Sequence, residues 1–178
     1  MAERSGDSGA GHRPEDGLQR FTAARLTVSD RCAAGETEDR SGPAVDRLIE
    51  ELGGEVVDRA VVPDGEAAIR SLLEEWLERE VPPRLIVTTG GTGPAPRDVT
   101  PEATLPLLDR RLPGLEEALR RAGLPGVPTA VLSRGAAGTR GGSLIINLPG
   151  SPGGVRDAAR VLPPLVGHVL ELLGGDRT

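Results

Sequence analysis

Thr88-Thr89-Gly90-Gly91-Thr92-Gly93-Pro94-Ala95-Pro96-Arg97-Asp98-Val99-Thr100-Pro101-Glu102-Ala103 follows an apolar run and leads into a helical pattern. Arg84 to Thr88 reads as a short buried strand, and Thr100 reads as the cap of a helix whose first residue is Pro101, with Glu102 in its first turn. Gly90, Gly91 and Gly93 let the intervening backbone take positive φ, so that N–H groups can approach an anion with no Cβ in the way. Asp98 is out of place beside an anion cradle unless a cation lies between the two charges. The loop therefore points to Mg²⁺ bridging Asp98 and a polyphosphate. The plainer alternative is a glycine-rich turn in which Asp98 caps the helix.

Outward from this loop, composition narrows the chemistry. At 178 residues the chain is long enough for one domain with a sizeable core and short for two. Met1 to Arg20 holds few apolar side chains and reads as a disordered tail, leaving residues 21–178 as a single domain. With no signal-peptide core and no long apolar span, the expectation is a cytoplasmic protein with no membrane partner. A single cysteine, Cys32, excludes an internal disulfide and a multi-cysteine metal site.

All 21 basic residues are arginines, which removes mechanisms that need a lysine, such as a Walker-type phosphate loop or a Schiff base. His12 lies in the tail and His168 in the last helical pattern, so a Ser-His-Asp arrangement is disfavoured and His168 reads as a helix-surface or interface residue. Phe21 and Trp76 are the only aromatics and the net charge is −6, which argues against a nucleic-acid partner. Trp76 lies at helical spacing from Leu72, Leu73 and Leu77 and reads as a core anchor.

Apolar runs of strand length alternate with stretches of helical period, the pattern of βαβ units. Strands are expected at Ala23 to Ser29, Glu55 to Val62, Arg84 to Thr88, Thr129 to Leu132 and Ser143 to Asn147. Helices are expected at Pro43 to Leu52, Glu66 to Glu80, Pro101 to Leu108, Gly114 to Ala122 and Pro152 to Leu173. The fold class is α/β, a three-layer α/β/α sandwich with a mostly parallel, Rossmann-like sheet, in which ligands bind beyond the carboxyl ends of the strands. Four loops that follow strands carry polar residues suited to this. They hold Ser29, Asp30, Asp39, Arg40 and Ser41; Asp64; the glycine loop with Arg97; and Pro149, Gly150 and Ser151. Capping explains Ser41, Asp64 and Ser151 equally well when each is taken alone.

Taken together, Thr27-Val28-Ser29-Asp30, Asp39-Arg40-Ser41-Gly42-Pro43, Thr89-Gly90-Gly91-Thr92-Gly93, Arg97-Asp98-Val99-Thr100-Pro101-Glu102-Ala103, Leu132-Ser133-Arg134-Gly135-Ala136-Ala137-Gly138 and Leu148-Pro149-Gly150-Ser151-Pro152 resemble the molybdopterin-binding family, over about Leu26 to Leu173. The likeness is to its Mog-type adenylyltransferases, related to the G domains of plant and animal molybdenum-cofactor proteins. The resemblance implies transfer of AMP from Mg-ATP to the terminal phosphate of molybdopterin. Asp64 and Asp98 would be the catalytic and metal-holding carboxylates. Gly90, Gly91, Thr92, Gly93, Arg97, Ser133, Pro149, Gly150 and Ser151 would bind substrate, and Ser29, Asp30, Asp39, Arg40 and Ser41 are secondary candidates.

A non-catalytic branch similar to the MoaB proteins of enteric bacteria shares the glycine loop but loses the Pro-Asp before the second helix, which this chain keeps as Pro63-Asp64. An adaptor role is the remaining rival. Gly135 departs from members that carry serine there, and Gly153-Gly154 is more flexible than the usual pattern. The resemblance also implies a homotrimer and a downstream molybdenum insertase. Val161, Leu162, Leu165, Val166, Val169, Leu170 and Leu173 exceed one narrow stripe, as a helix partly buried against another subunit would.

Overall fold

A computed structural model describes residues 20–174. The stretch read as a tail lies outside the described residues except for Arg20, and His12 lies outside them as well.

Extended and helical segments alternate through β1 (Phe21–Val28), the single turn α1 (Asp30–Ala33), α2 (Gly42–Glu51), β2 (Gly54–Val62), α3 (Glu66–Leu77) and β3 (Leu85–Thr89). They continue through α4 (Thr100–Thr104), β4 (Arg110–Arg111), α5 (Pro113–Gly123), β5 (Ala137–Arg140), β6 (Ser143–Leu148), α6 (Pro152–Ala158) and α7 (Pro163–Gly174). The strands form one sheet in the order β2-β1-β3-β6-β5-β4. The first four run parallel, β5 runs antiparallel to β6, and β4 antiparallel to β5.

Alternation along the strands builds the three layers. Leu85, Val87, Leu144 and Ile146 enter one core with Val45, Ile49, Leu115, Val155, Val166 and Leu170, so α2, α5, α6 and α7 cover that face. Leu26, Ile86 and Ile145 enter the other with Ile69, Leu73, Trp76 and Ala103 beneath α3 and α4. Trp76 is 2% exposed, a core anchor as its spacing predicts. His168 is exposed on α7.

Three expected elements differ. Thr129 to Leu132 is not a strand: Pro128–Leu132 forms a 3₁₀ turn whose Val131 is 54% exposed. Its apolar, β-branched residues imitate a strand, but no neighbouring strand is there to pair with. The fifth strand is Ala137–Arg140, joined to β6 through Gly141-Gly142, where Gly141 takes φ 53°. The helix expected from Pro152 to Leu173 is two helices. Pro163 and Pro164 lack N–H donors and disfavour helical backbone at the residue before them, so α6 ends and α7 begins again at Pro163. The helix expected from Pro101 to Leu108 tightens after Thr104 into a 3₁₀ turn, Leu105–Leu107, at Pro106.

Connections place the functional loops. From β1 the chain crosses to β2 on one side and then returns past β1 to β3 on the other, so strand order reverses at the carboxyl ends of β1 and β3. Such a reversal opens a crevice. Behind it, Arg25 on β1 is buried and donates through Nε to Asp46 at 3.2 Å and through Nη1 to Asp39 at 3.0 Å. Asp39 also accepts from Thr27 Oγ1 at 2.7 Å and from the Gly42 N–H at 2.8 Å, which fastens the start of α2 to the sheet. Removing the guanidinium would leave Asp39 without a cation, while Asp46 keeps Arg59 at 2.9 Å. Arg25→Ala is expected to lower the unfolding free energy by about 1.5–3 kcal/mol, measured by urea denaturation.

Candidate functional site

Gly90 and Gly91 take φ 103° and 62°, turning the chain at the end of β3. A Cβ at Gly90 would stand 2.2 Å from the Val28 carbonyl oxygen, so the loop lies directly against the end of β1. Every carbonyl from Gly90 to Gly93 is held from behind. Gly90 accepts from Thr100 Oγ1 at 2.9 Å, Gly91 from the Thr100 N–H at 3.0 Å, Thr92 from the Arg134 N–H at 2.8 Å, and Gly93 from Arg134 Nε at 2.9 Å. The N–H of Gly90 donates to the Leu148 carbonyl at 3.1 Å. Those of Gly91, Thr92 and Gly93 have no protein acceptor among the described residues. With carbonyls turned away and amides left over, this arc has the geometry of a nest able to receive an anion.

The support beneath is a buried chain of side chains. Asn147 Oδ1 accepts from the Ala136 N–H, and its Nδ2 donates to Thr88 Oγ1 at 2.9 Å and Thr104 Oγ1 at 3.1 Å. Thr104 in turn donates to the Thr100 carbonyl at 2.8 Å. Thr89 Oγ1 donates to the Pro149 carbonyl at 2.8 Å, stitching the loop after β6 to the glycine loop. Thr100 is therefore not the helix cap that its position suggests: the capping position is Val99, and Thr100 is the first residue of α4, latched onto Gly90.

Two carboxylates flank the nest. Asp64 exchanges backbone hydrogen bonds with Asp30: each N–H donates to the other's carboxylate at 2.9 Å, joining the loops after β1 and β2. Asp64 Oδ1 lies 3.4 Å from where a Cβ at Gly91 would stand. Asp98 does not cap α4. Its Oδ2 accepts from the Ala95 N–H at 3.0 Å and lies 2.7 Å from where a Cβ at Gly93 would stand. Residues two apart span at most about 7 Å of chain, so both carboxylates border one short arc.

A cavity of about 510 Å³ opens from the nest, lined by Gly90 to Gly93, Asp98, Ser133, Pro149 to Ser151 and residues of α5 and α6. Ser133 Oγ accepts from the Gly135 N–H at 3.3 Å. Gly135 packs so closely that a Cβ there would stand 2.8 Å from the Asn147 carbonyl, which makes glycine the fitting residue. Ser151 accepts from the Gly154 N–H at 3.1 Å and caps α6, as capping logic allows.

Other candidates fall elsewhere. Arg97 is exposed on the turn and does not line the cavity. Asp39 belongs to the Arg25 cluster, Ser41 bonds to Asp39, and Arg40 is exposed. Ser29 accepts from the Cys32 N–H at 3.3 Å as the cap of α1.

Two arginines were not singled out by sequence reasoning, although both stand in segments already marked. Arg134 donates to Gly93, to the Asp98 carbonyl and to the Glu102 carboxylate, clamping the loop. Its hydrogen bond holds the Glu102 carboxyl below the usual range. Arg120 on α5 is the arginine that lines the cavity. Nearby Glu116 is buried. Burial alone would push its carboxyl up, but bonds from Arg111 at 2.7 and 2.8 Å and from the Ala137 N–H, with the charges of Arg111 and Arg120, hold it lower.

Thr100→Val keeps the shape of the side chain and orphans the buried Gly90 carbonyl. It is expected to cost about 1–3 kcal/mol of stability in chemical denaturation and to weaken anion binding at the loop. The Glu116 carboxyl titrates in the folded protein below the 4.5 of an unperturbed glutamate. Its stabilisation is then complete above that value and lost as pH falls through the folded one. Glu116→Gln should cost about 1.5–3 kcal/mol at neutral pH, a difference that shrinks in acid-unfolding curves.

Comparison with known proteins agrees with this geometry. Residues 24–168 match the family model described as "Probable molybdopterin binding domain". The chain is 41% identical over 161 residues to a molybdopterin adenylyltransferase of Helicobacter pylori strain J99, covering 89% of this chain and 91% of that one. Among solved structures it is similar to the molybdopterin biosynthesis Mog protein of Mycobacterium ulcerans, with 44% identity, TM-score 0.81 and coverage of 89% and 99%. It is equally similar to the molybdopterin biosynthesis enzyme MoaB of Thermus thermophilus, with 46% identity, TM-score 0.81 and coverage of 88% and 98%. With its α/β sheet, its glycine nest and these matches, the chain belongs to the molybdopterin-binding domain family of molybdenum cofactor biosynthesis.

Proposed function

We propose that this protein transfers AMP from ATP to the terminal phosphate of molybdopterin and releases pyrophosphate. A phosphate oxygen of the pterin attacks the α-phosphorus of ATP, and the bond from that phosphorus to the bridging oxygen of the β-phosphate breaks. The observation that carries this reading is the row of three unbonded N–H groups, Gly91 to Gly93, bordered by Asp64 and Asp98. Relatives named molybdopterin adenylyltransferase support it.

A phosphate monoester is already an anionic nucleophile, so the scarcity of histidine and the absence of lysine are no obstacle. Catalysis reduces to bringing like-charged phosphates into line. The amides hold one phosphate, and the hydrogen bonds from Thr100 and Arg134 keep those amides from rotating away. Ser133 and the Pro149 to Ser151 turn bound the space for the rest of the pterin substrate.

Two hard carboxylate donors suit Mg²⁺. Among the described residues no group of three or more His, Cys, Asp or Glu forms a metal cage, which matches an ion that takes its other ligands from phosphates and water. Bound there, Mg²⁺ would neutralise charge on the triphosphate. Asp64 has one oxygen committed to the Asp30 N–H and one directed toward Gly91, so it would offer a single ligand atom. The same reading takes the protein as a cytoplasmic homotrimer that passes its product to a molybdenum insertase. Exposed Leu165 and Leu172 on α7 supply apolar surface for self-association. No described helix is long and apolar enough to cross a membrane.

Incubation with molybdopterin, ATP and Mg²⁺ should yield adenylylated pterin and pyrophosphate. Asp98→Asn is expected to reduce turnover by about 10²–10³-fold while pterin still binds. Asp64→Asn should raise the Mg-ATP requirement more than the pterin KM. A wild-type protein that binds the pterin without forming pyrophosphate would be a binding protein only, and the proposal would fail.

A further inference from the structure

Pro94 to Asp98 forms a turn closed on itself. The Asp98 N–H donates to the Ala95 carbonyl at 2.9 Å, and the Ala95 N–H donates to Asp98 Oδ2 at 3.0 Å. Pro94 and Pro96 have no N–H to give, and residues 94–97 are exposed, so the turn has few anchors of its own. One side chain holds both of its ends. Arg134 Nε donates to the Gly93 carbonyl at 2.9 Å, just before the turn, and Nη2 donates to the Asp98 carbonyl where the turn closes. Glu102, in the first turn of α4, holds the guanidinium in its plane: Oε1 accepts from Nη1, and Oε2 from Nη2 at 3.2 Å.

These side-chain bonds do not serve the nest. The N–H groups of Gly91, Thr92 and Gly93 are oriented by the carbonyls that precede them, on Gly90, Gly91 and Thr92, which accept from Thr100 Oγ1, the Thr100 N–H and the Arg134 N–H. The Gly93 carbonyl precedes Pro94, which has no amide to aim. What the Arg134 side chain fixes is the seat of Asp98, whose Oδ1 has no donor among the described residues. The Arg134 and Glu102 side chains are 40% and 42% exposed, and an ion pair so open adds little to stability. We propose that Arg134, held by Glu102, is a positioning residue that sets Asp98 against the nest, so that Oδ1 can share Mg²⁺ with a bound polyphosphate. Lysine cannot replace it, because an ammonium has no planar fork to span two carbonyls and a carboxylate. The inference rests on the proposed function, in which Asp98 is a metal-holding carboxylate.

The test titrates the full chain with ATP at rising Mg²⁺ by calorimetry, with inorganic phosphate in the absence of metal, and with urea. Arg134→Lys and Arg134→Gln should each raise the Mg²⁺ needed for half-maximal ATP binding by about tenfold, the scale of losing a partner behind a metal ligand. Phosphate affinity and the urea midpoint should stay at their wild-type values. Glu102→Gln should produce a smaller shift in the same direction, and no further shift when added to Arg134→Gln. The charge of Arg134 reaches Asp98, and a positive charge there repels a cation. An Arg134→Gln variant that needs less Mg²⁺, or an Arg134→Lys variant that behaves as wild type, therefore overturns the proposal, since charge alone would then account for the residue. Phosphate affinity or a urea midpoint that falls in step with ATP binding overturns it as well, because the side chain would then support the nest or the fold. ATP binding that ignores Mg²⁺ in the wild-type protein overturns both this proposal and the metal-dependent reading of the site. The expected Mg²⁺ shift in a protein that forms no pyrophosphate supports the positioning role and overturns adenylyl transfer alone.

Discussion

The carbonyl groups of Gly90, Gly91, Thr92 and Gly93 are all pulled to one side of their loop, and the rest of the site depends on this. A peptide unit is rigid, so fixing where its oxygen points also fixes where the next N–H points. Thr100 and Arg134 supply three of the donors through two side chains and the Arg134 backbone, and the Thr100 N–H supplies the fourth. Asn147 and Thr104 hold Thr100 in place from within the core. The polar chain is buried and each of its members is bonded, so a shift in any one would leave an unsatisfied group in a dry environment. Thr100, and with it the first two carbonyls of the loop, is fixed by that buried chain.

Charge in this protein divides between support and chemistry. Arg25, Arg111 and Arg134 each bond to carboxylates and bind one element to another, work that suits a planar fork of donors. Asp39 and Glu116 are the complementary acids of that framework. Asp64 and Asp98 differ from them. They accept bonds from backbone amides and form no salt bridge among the described residues, although the Arg134 guanidinium lies close enough to Asp98 for their charges to interact. Two carboxylates without a salt bridge beside free N–H groups fit the proposed reading, in which a cation is shared between them and a phosphate.

The parallel part of the sheet was legible because both of its faces are covered. Leu85-Ile86-Val87 and Leu144-Ile145-Ile146 are continuous apolar runs that only a strand between two helical layers can bury. The sheet edge was not legible in the same way. Ala137–Arg140 has too little apolar character to stand out, whereas Thr129 to Leu132 looks like a strand and stays on the surface. Pairing, which selects the true strand, depends on a neighbour that local composition does not reveal. The site followed the same division. Gly90 to Gly93, Asp64, Asp98 and Ser133 were marked by spacing and resemblance. Arg97 was marked as a substrate-binding residue by the resemblance; its side chain is exposed, and the arginine that lines the cavity is Arg120, from a distant helix.

From residue types alone, this chain was committed to strand-loop-helix units, to a glycine loop that offers backbone N–H groups where no lysine exists, and to carboxylates within a few residues of loops at the strand ends. Those properties are local, set by glycine's freedom at positive φ and by which side chains exist within a few residues. Tertiary structure decided which carboxylates were spent on salt bridges, which arginine reached the cavity, and which way the loop carbonyls turned. Each of these is a competition for hydrogen-bond partners between segments far apart in the chain, and only the folded packing determines who wins it.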